Sequence, residues 1–196
     1  MALTDLASLR TELAARGFDY LSDTRKGNFL NDGYHEVCEY MPWPFLRTTL
    51  TGTAPLAIAD IEHVLSVYDT TNLYMLQSAD NRDLETSVAG TPTYYYLDGD
   101  TLKVEPTNTA ASLRVVYIKV PADLAATTDT PLVPSRFRSL IVDIAQIKAL
   151  AEDSDNAELA AALQPRLDAK LVRMRDGLMS REHSNPDFIL SSGGDF

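Results

Sequence analysis

A helical hairpin is predicted by residues 134–182, which read PSRFRSLIVDIAQIKALAEDSDNAELAAALQPRLDAKLVRMRDGLMSRE. Apolar residues recur every three or four positions in both halves of this stretch, and that spacing is typical of amphipathic helices. The first stripe comprises Phe137, Leu140, Ile141, Ile144, Ile147 and Ala151, and the second comprises Ala160, Leu163, Leu167, Leu171, Met174 and Leu178. The polar run 152–156 separates them, and Asp155 with Glu158 has the spacing of a capping box. Each helix therefore needs an apolar surface to pack against.

The second helix of this hairpin carries two further signals. Pro165 lies inside it, so we expect either a kink there or a helix that starts separately near that residue. The helix is also locally basic in an acidic chain, through Arg166, Lys170, Arg173, Arg175 and Arg181. These side chains predict either a solvated face paired with nearby acids or a contact with a neighbouring subunit or partner, and the sequence favours neither.

Two shorter helices are predicted before residue 45. Leu6, Leu9 and Leu13 recur at helical spacing, and Gly17 supplies a stop signal. A second helical face follows, formed by Phe29, Leu30, Gly33, Tyr34, Val37, Cys38 and Met41. Prolines at positions 42 and 44 end it, because proline lacks the backbone donor that a helix requires.

Residues 45–120 show the short-strand pattern of a small antiparallel β module of about four to six strands. The clearest hairpin turns at Asp98 and Gly99, since glycine accepts the positive φ of a tight turn. Other β-type runs cover residues 64–68, 73–77 and 112–120, while residues 80–85 could form one helical turn. The predicted fold is therefore α+β: a helical bundle from residues 1–44 and 121–182, this inserted module, and an extended tail over residues 183–196.

Composition excludes several classes of protein. The 45% hydrophobic content is ordinary for a globular chain, while the net charge of −11 argues against sequence-independent binding to DNA phosphates. Cys38 is the sole cysteine, so an internal disulfide is impossible and no paired-cysteine zinc site exists. The N-terminal stretch is amphipathic and acidic rather than a signal peptide, and no run is apolar enough to cross a membrane. We expect an untargeted protein with no membrane association.

No catalytic, cofactor or metal site is predicted. His35 and Glu39 are spaced to share a helix face near Cys38, but a solvated face beside a buried thiol explains them better than a metal site does. The acids of the 98–100 turn lack the further ligands of a calcium loop. Tyr94 and Tyr96 would share one side of a strand, where packing is favoured over a ligand platform. The chain is therefore not expected to be an enzyme.

The tail over residues 183–196 combines small polar residues with large apolar ones. Its apolar side chains are Phe188, Ile189, Leu190 and Phe196. Free tails usually carry few such anchors, because low hydrophobicity is what keeps a segment from collapsing. The tail therefore predicts a partner surface.

Several segments, in order along the chain, resemble the head-to-tail adaptor (connector) proteins of tailed bacteriophages. They read FLNDGYHEVC at 29–38, MPWPF at 41–45, IEHVLSV at 61–67, GTPTYYYLDG at 90–99 and VVYIKVP at 115–121, followed by VP at 133–134 opening a helix that ends in Glu152-Asp153. The resemblance covers about residues 28–180.

This resemblance implies a structural virion protein that forms a ring under the portal, of twelve copies, and extends the DNA channel toward a stopper or tail protein. In that family the C-terminal segment docks on the portal, and the tail anchors match that role. No catalytic residue is carried over. The implied setting is the host cytoplasm during assembly and then the head-tail connector of the virion, with genomic DNA passing through the lumen without specific binding.

Two other functions remain open from the residues alone. One is a carbohydrate- or protein-binding module whose β part presents Tyr94, Tyr96 and Trp43 as a recognition surface. The other is a hydrolase that uses a pair of carboxylates, although the spacing singles out no such pair.

Overall fold

A computed structural model describes residues 2–79, 89–108, 110–152 and 154–182. The chain divides into two compact units. The helical unit consists of Met1–Phe45 and Ala122–Phe196, and the β unit consists of Leu46–Pro121. The predicted tail over residues 183–196 and the possible helical turn over residues 80–85 lie outside the described residues.

Four α-helices make up the helical unit: α1 (Leu6–Leu13), α2 (Asp23–Glu39), α3 (Ser139–Ala151) and α4 (Ala157–Glu182). A π-helical segment, Ala14–Phe18, extends α1, and the turn Ser154–Asn156 separates α3 from α4. Side chains cap the first two helices, because the first backbone N–H groups of a helix have no partner within the helix. Asp5 accepts from the Ser8 backbone at 2.8 Å, and Ser22 accepts from the Arg25 backbone at 3.3 Å. The predicted hairpin of two helices is confirmed.

Helix α3 lies at the centre of the helical unit, in contact with α1, α2 and α4. Of the predicted stripe, Leu140, Ile141 and Ile144 are buried, Phe137 and Ile147 are half-buried, and Ala151 is exposed. The stripe was also too narrow a prediction, because Val142, Ala145 and Leu150 are buried as well. Because α1, α2 and α4 contact α3 on several sides, little of its surface is exposed to solvent. The closest approach is at Gly33 of α2, where an added Cβ would lie 2.6 Å from the Ile141 backbone oxygen.

Helix α4 follows its predicted pattern. Ala160, Leu167, Leu171 and Met174 are buried, and the other two stripe residues are half-buried. Pro165 lies within one continuous helix, so the alternative of a helix starting separately near Pro165 is wrong. The stripe therefore packs against α3, and the basic residues between its members occupy the flanks of the helix.

The β unit forms one seven-stranded sheet in the order β1-β7-β3-β4-β5-β6-β2. The strands are β1 (Arg47–Thr53), β2 (Leu56–Ala57), β3 (Ile61–Asp69), β4 (Tyr74–Ser78), β5 (Tyr94–Asp98), β6 (Thr101–Glu105) and β7 (Ser112–Lys119). The edge strands β1 and β2 are separated in sequence by Ala54 and Pro55 alone, so the sheet must curl until its edges approach. The sheet is thus larger than predicted and barrel-like.

The prediction of an antiparallel module was wrong at the pairing of β4 with β5 and at the isolated parallel bridge between Ala89 and Thr107. Strands β4 and β5 pair in parallel, with Gln77 opposite Tyr94 and Ser78 opposite Tyr95. A parallel pair requires a long connection, and residues 79–93 supply it. The hairpin between β5 and β6 is confirmed, and Gly99 has the positive φ of 59° that the turn requires.

A buried carboxylate organises the turn between β3 and β4. Asp69 is fully buried, and its carboxylate accepts from the Thr71 and Asn72 backbones at 2.8 and 3.0 Å and from the Asn72 amide at 2.8 Å. Burial alone would raise the pKa of Asp69, but these hydrogen bonds outweigh it and hold the pKa below its usual value of 3.8. The turn then places Leu73 at φ 62° with its side chain 71% exposed.

We expect Asp69→Asn to lower the free energy of unfolding at neutral pH by about 1–2 kcal/mol, because one charged hydrogen-bond acceptor is lost. A lowered folded-state pKa stabilises the protein above the unfolded pKa, and that contribution is lost as pH falls through the folded value. The difference in unfolding free energy between wild type and variant, measured by urea unfolding, should therefore become smaller from pH 7 down to pH 3. Asn72→Ala, which keeps the carboxylate, is the matched control. A gap that is the same at both pH values would contradict the assignment.

Candidate interaction surfaces

A cleft of about 300 Å³ lies between the π-helical extension of α1, helix α3 and helix α4. Ion pairs converge in it on Asp143 of α3, whose side chain is 15% exposed. Arg16 donates to the Asp143 carboxylate at 2.7 Å and to the Gln146 side chain at 3.1 Å, and Lys170 of α4 pairs with the other oxygen of Asp143. One carboxylate thereby joins three elements of the helical unit.

The cleft keeps a cationic excess after these pairs have formed. Arg16 and Lys170 share the single charge of Asp143, although Glu12 also pairs with Arg16 at 3.1 Å. Arg166 lines the cleft, is exposed and makes no ion pair within the described part of the chain. Apolar side chains of α3 and α4 complete the lining: Ile147, Leu163 and Leu167. Such a surface favours a partner that brings carboxylates.

The structure separates the five basic residues predicted as one face of the last helix. Arg166, Lys170 and Arg173 follow one another at spacings of four and three residues, so they lie along one edge of α4, which we call the cationic edge. Arg175 lies nine residues after Arg166, about half a turn away around the helix axis. It pairs with Asp176 at 3.0 Å instead. The side chain of Arg181 lies outside the described residues.

Helix α2 exposes a surface of opposite sign. Asp32, Glu36 and Glu39 recur at spacings of four and three residues, and we call this surface the acidic face. Glu36 pairs with Lys148 of α3 at 2.9 Å. Asp32 and Glu39 are exposed, and neither forms an ion pair with any residue that the structure describes. The acidic face therefore carries at least two uncompensated carboxylates.

Arg138 is a structural residue that sequence patterns did not reveal. Its guanidinium donates to four backbone carbonyls, those of Leu3, Thr4, Pro131 and Val133, at 3.0, 2.8, 3.1 and 2.9 Å. Arginine suits this role because its planar group carries five donors in a fixed arrangement. Burial lowers the pKa of Arg138. The contacts join the N-terminal segment to the chain that leads into α3.

The residues weighed as metal ligands or catalytic groups either lie far from one another or are chemically unreactive. Burial, with a smaller contribution from Glu39, raises the pKa of Cys38 to about 12, so the nucleophilic thiolate is scarce at neutral pH. His35 lies 2.6 Å from an Asp123 carboxylate oxygen, and the side chain of Asp123 is exposed. Among the described residues, no three His, Cys, Asp or Glu side chains are grouped to hold a metal ion. The acid of the β hairpin, Asp98, pairs with Lys103 at 2.5 Å.

The alternative binding function requires Tyr94, Tyr96 and Trp43 to form one exposed aromatic surface, and the structure does not place all three on the surface. Trp43 has no exposed surface, so its part in that surface is wrong. It packs inward, with its ring stacked on those of Tyr40 and Phe45. Tyr94 is 39% exposed, and Tyr96 borders a cleft of about 290 Å³ lined also by Ala54, Pro55, Lys103, Val104, Thr107 and Asn108.

Comparison with known proteins identifies a family for this chain. The model of the SU10 adaptor protein family matches residues 1–186. No curated protein matches the chain. No helix in the described residues has the length and apolar character needed to cross a membrane. The resemblance to phage head-to-tail adaptors is confirmed: the chain belongs to the SU10 adaptor protein family and is a structural adaptor of a phage, which implies a non-enzymatic role in the virion.

Proposed function

We propose that the protein forms a ring of twelve copies beneath the portal, extends the DNA channel and joins the capsid vertex to a stopper or tail protein. The observation that carries this proposal is the family match, which spans residues 1–186 and so includes both the helical and the β unit. Each subunit acts as a wedge of helical bundle with the β module inserted. Assembly takes place in the host cytoplasm, and the finished ring belongs to the virion.

The tail over residues 183–196 is the proposed portal contact. Its apolar anchors are Phe188, Ile189, Leu190 and Phe196. The family match ends at residue 186, so all four anchors lie beyond it. The basic residues of α4, Arg166, Lys170, Arg173, Arg175 and Arg181, are proposed as contacts to neighbouring subunits or partners.

Net charge supports the proposed passage of DNA. The chain carries 28 acidic and 17 basic residues, for a net charge of −11. A polymer of phosphates is held by clustered lysine and arginine, and an acidic protein leaves it free to slide. The proposed ring therefore lets genomic DNA through without binding it specifically. A ring structure whose bore is lined mainly by Lys and Arg would contradict this.

A second function rests on the exposure of Tyr94 beside the cleft that Tyr96 lines. These tyrosines could take a carbohydrate or a protein segment, because tyrosine offers an apolar ring with a polar tip. The double variant Tyr94→Ala/Tyr96→Ala separates the two functions.

We expect wild-type protein mixed with the portal to form rings in negative-stain images, and the Tyr94→Ala/Tyr96→Ala variant to form them equally well. The physical reason is that these side chains belong to the β unit, whereas the proposed contacts are residues of the helical unit and the tail. Glycan arrays and pull-downs with phage proteins provide the second readout. Absence of rings with wild type would contradict the adaptor ring, and loss of a ligand by the variant would favour the binding module.

A further inference from the structure

We propose that neighbouring copies in the ring meet through opposite charges, with the cationic edge of α4 in one copy against the acidic face of α2 in the next. This inference rests on the proposed ring and names its subunit contact. The occupant of the cationic edge is a second copy of this chain.

The position of the two surfaces follows from helix α3. Asp143, Gln146 and Ile147 line the cleft beside α4, whereas Ile141 and Ala145 contact Gly33 of α2. Ile141 and Ala145 are each two residues from Asp143, about 200° around the helix axis. The cleft and α2 therefore lie on opposite sides of α3. One copy cannot close its own cationic edge onto its own acidic face.

Both surfaces keep exposed charges that have no ion-pair partner among the described residues. Arg166 and Arg173 are exposed and form no ion pair within the residues described, and the same holds for Asp32 and Glu39. Other exposed charges on the same helices do find partners, such as Arg25 with Glu152 and Arg175 with Asp176. Complementary uncompensated charges on two surfaces select the partner and its orientation.

Each surface also carries an exposed apolar side chain that a charged contact would cover. Leu159 is 51% exposed and lies seven residues before Arg166, on the same edge of α4. Tyr40 is 44% exposed and follows Glu39 at the end of α2. An interface needs apolar contact within a polar rim, and these residues provide it. The two surfaces are different, so their contact is head-to-tail, the type that closes into a ring.

Charge reversal tests the pairing. We expect R166E/R173E to lose the rings that wild type forms on the portal, and D32K/E39K to lose them as well, because each variant then opposes like charges. An equal mixture of the two variants should restore rings, since every contact in an alternating ring is again complementary. A single chain with all four changes should restore them too. D168K is the matched control and should form rings, because Asp168 is exposed on α4 but lies two residues after Arg166, about 200° around the helix axis from the cationic edge.

Circular dichroism and thermal unfolding of each variant separate misfolding from a lost contact. Rings formed by folded R166E/R173E at the wild-type level would overturn the proposal and assign the cationic edge to another contact, DNA in the lumen included. Failure of the mixture and of the four-change chain to restore rings would overturn the pairing as well. If wild type forms no ring, the proposed function fails, and this inference fails with it.

Discussion

Replacing Trp43 with alanine is expected to lower the free energy of unfolding by about 3–5 kcal/mol. The side chain has no exposed surface and lies between two aromatic rings, with centroids 6.0 Å from Tyr40 and 5.8 Å from Phe45. Its Nε1 group also donates to the Val37 backbone oxygen at 2.5 Å. Alanine would leave a large cavity and an unsatisfied carbonyl at the end of α2. Urea unfolding followed by far-UV circular dichroism measures the loss.

Trp43→Phe is the matched control for this prediction. Phenylalanine keeps an aromatic ring in the stack but has no donor for the Val37 carbonyl, so we expect a loss of about 1–3 kcal/mol. The difference between the two variants isolates the apolar packing. Equal stability of Trp43→Ala and wild type would show that the side chain does not hold the helical unit together, contrary to its burial.

Deletion of residues 184–196 is expected to abolish binding to the portal while leaving the fold intact. The deleted stretch contains four large apolar side chains, and burial of apolar surface is the dominant favourable term in most protein–protein association. The last described element, α4, ends at Glu182, so the deletion removes none of the described helices or strands. Co-sedimentation with purified portal measures binding, and thermal unfolding checks the fold.

Substitutions inside the tail sharpen this test. Changing Phe188, Ile189 and Leu190 together to serine should reproduce the deletion, because it removes the anchors and keeps the length. Changing Ser191 and Ser192 to alanine should leave binding unchanged, because it alters the same segment without touching an anchor. Unchanged binding by the truncated chain would rule out the docking role of the tail.

Helical periodicity made much of the helical unit predictable. The apolar spacing along α4 and along α2 identified residues that are buried, such as Leu167, Met174, Leu30 and Val37. Proline and glycine marked ends and turns, as at Gly99, because these residues restrict or widen the allowed backbone angles. At Pro165 the sequence left two alternatives open, and α4 runs through this residue as one helix.

The β unit was less predictable at its edges. Strand β1 reads RTTLTGT, and its residues alternate between half-buried and exposed, so it carries no strong apolar signal. Strand β2 has only two residues. Both gain their structure from partners far along the chain, as Thr48 does opposite Tyr117 and Leu56 opposite Leu102. Such pairings depend on the packed sheet rather than on local preference.

The candidate contact surfaces were also predictable only in part from the sequence. Spacing alone placed Arg166, Lys170 and Arg173 on one helix. It could not show that Lys170 pairs with Asp143 while Arg166 forms no ion pair with any residue that the structure describes. Asp143 itself gave no signal in the sequence, because a lone acid inside an apolar helix resembles any solvated residue. Its role arises from Arg16, which is distant in sequence and adjacent in the fold.

Returning to residues 134–182, the sequence by itself determined that two amphipathic helices lie there, since the 3.6-residue repeat of apolar side chains depends only on local order. It also determined the local excess of positive charge. Only the tertiary structure decided that α3 is the central helix, that Gly33 brings α2 against it, and that the cationic edge and the acidic face belong to opposite sides of α3. Those features are set by contacts between distant segments, which a periodic pattern does not encode.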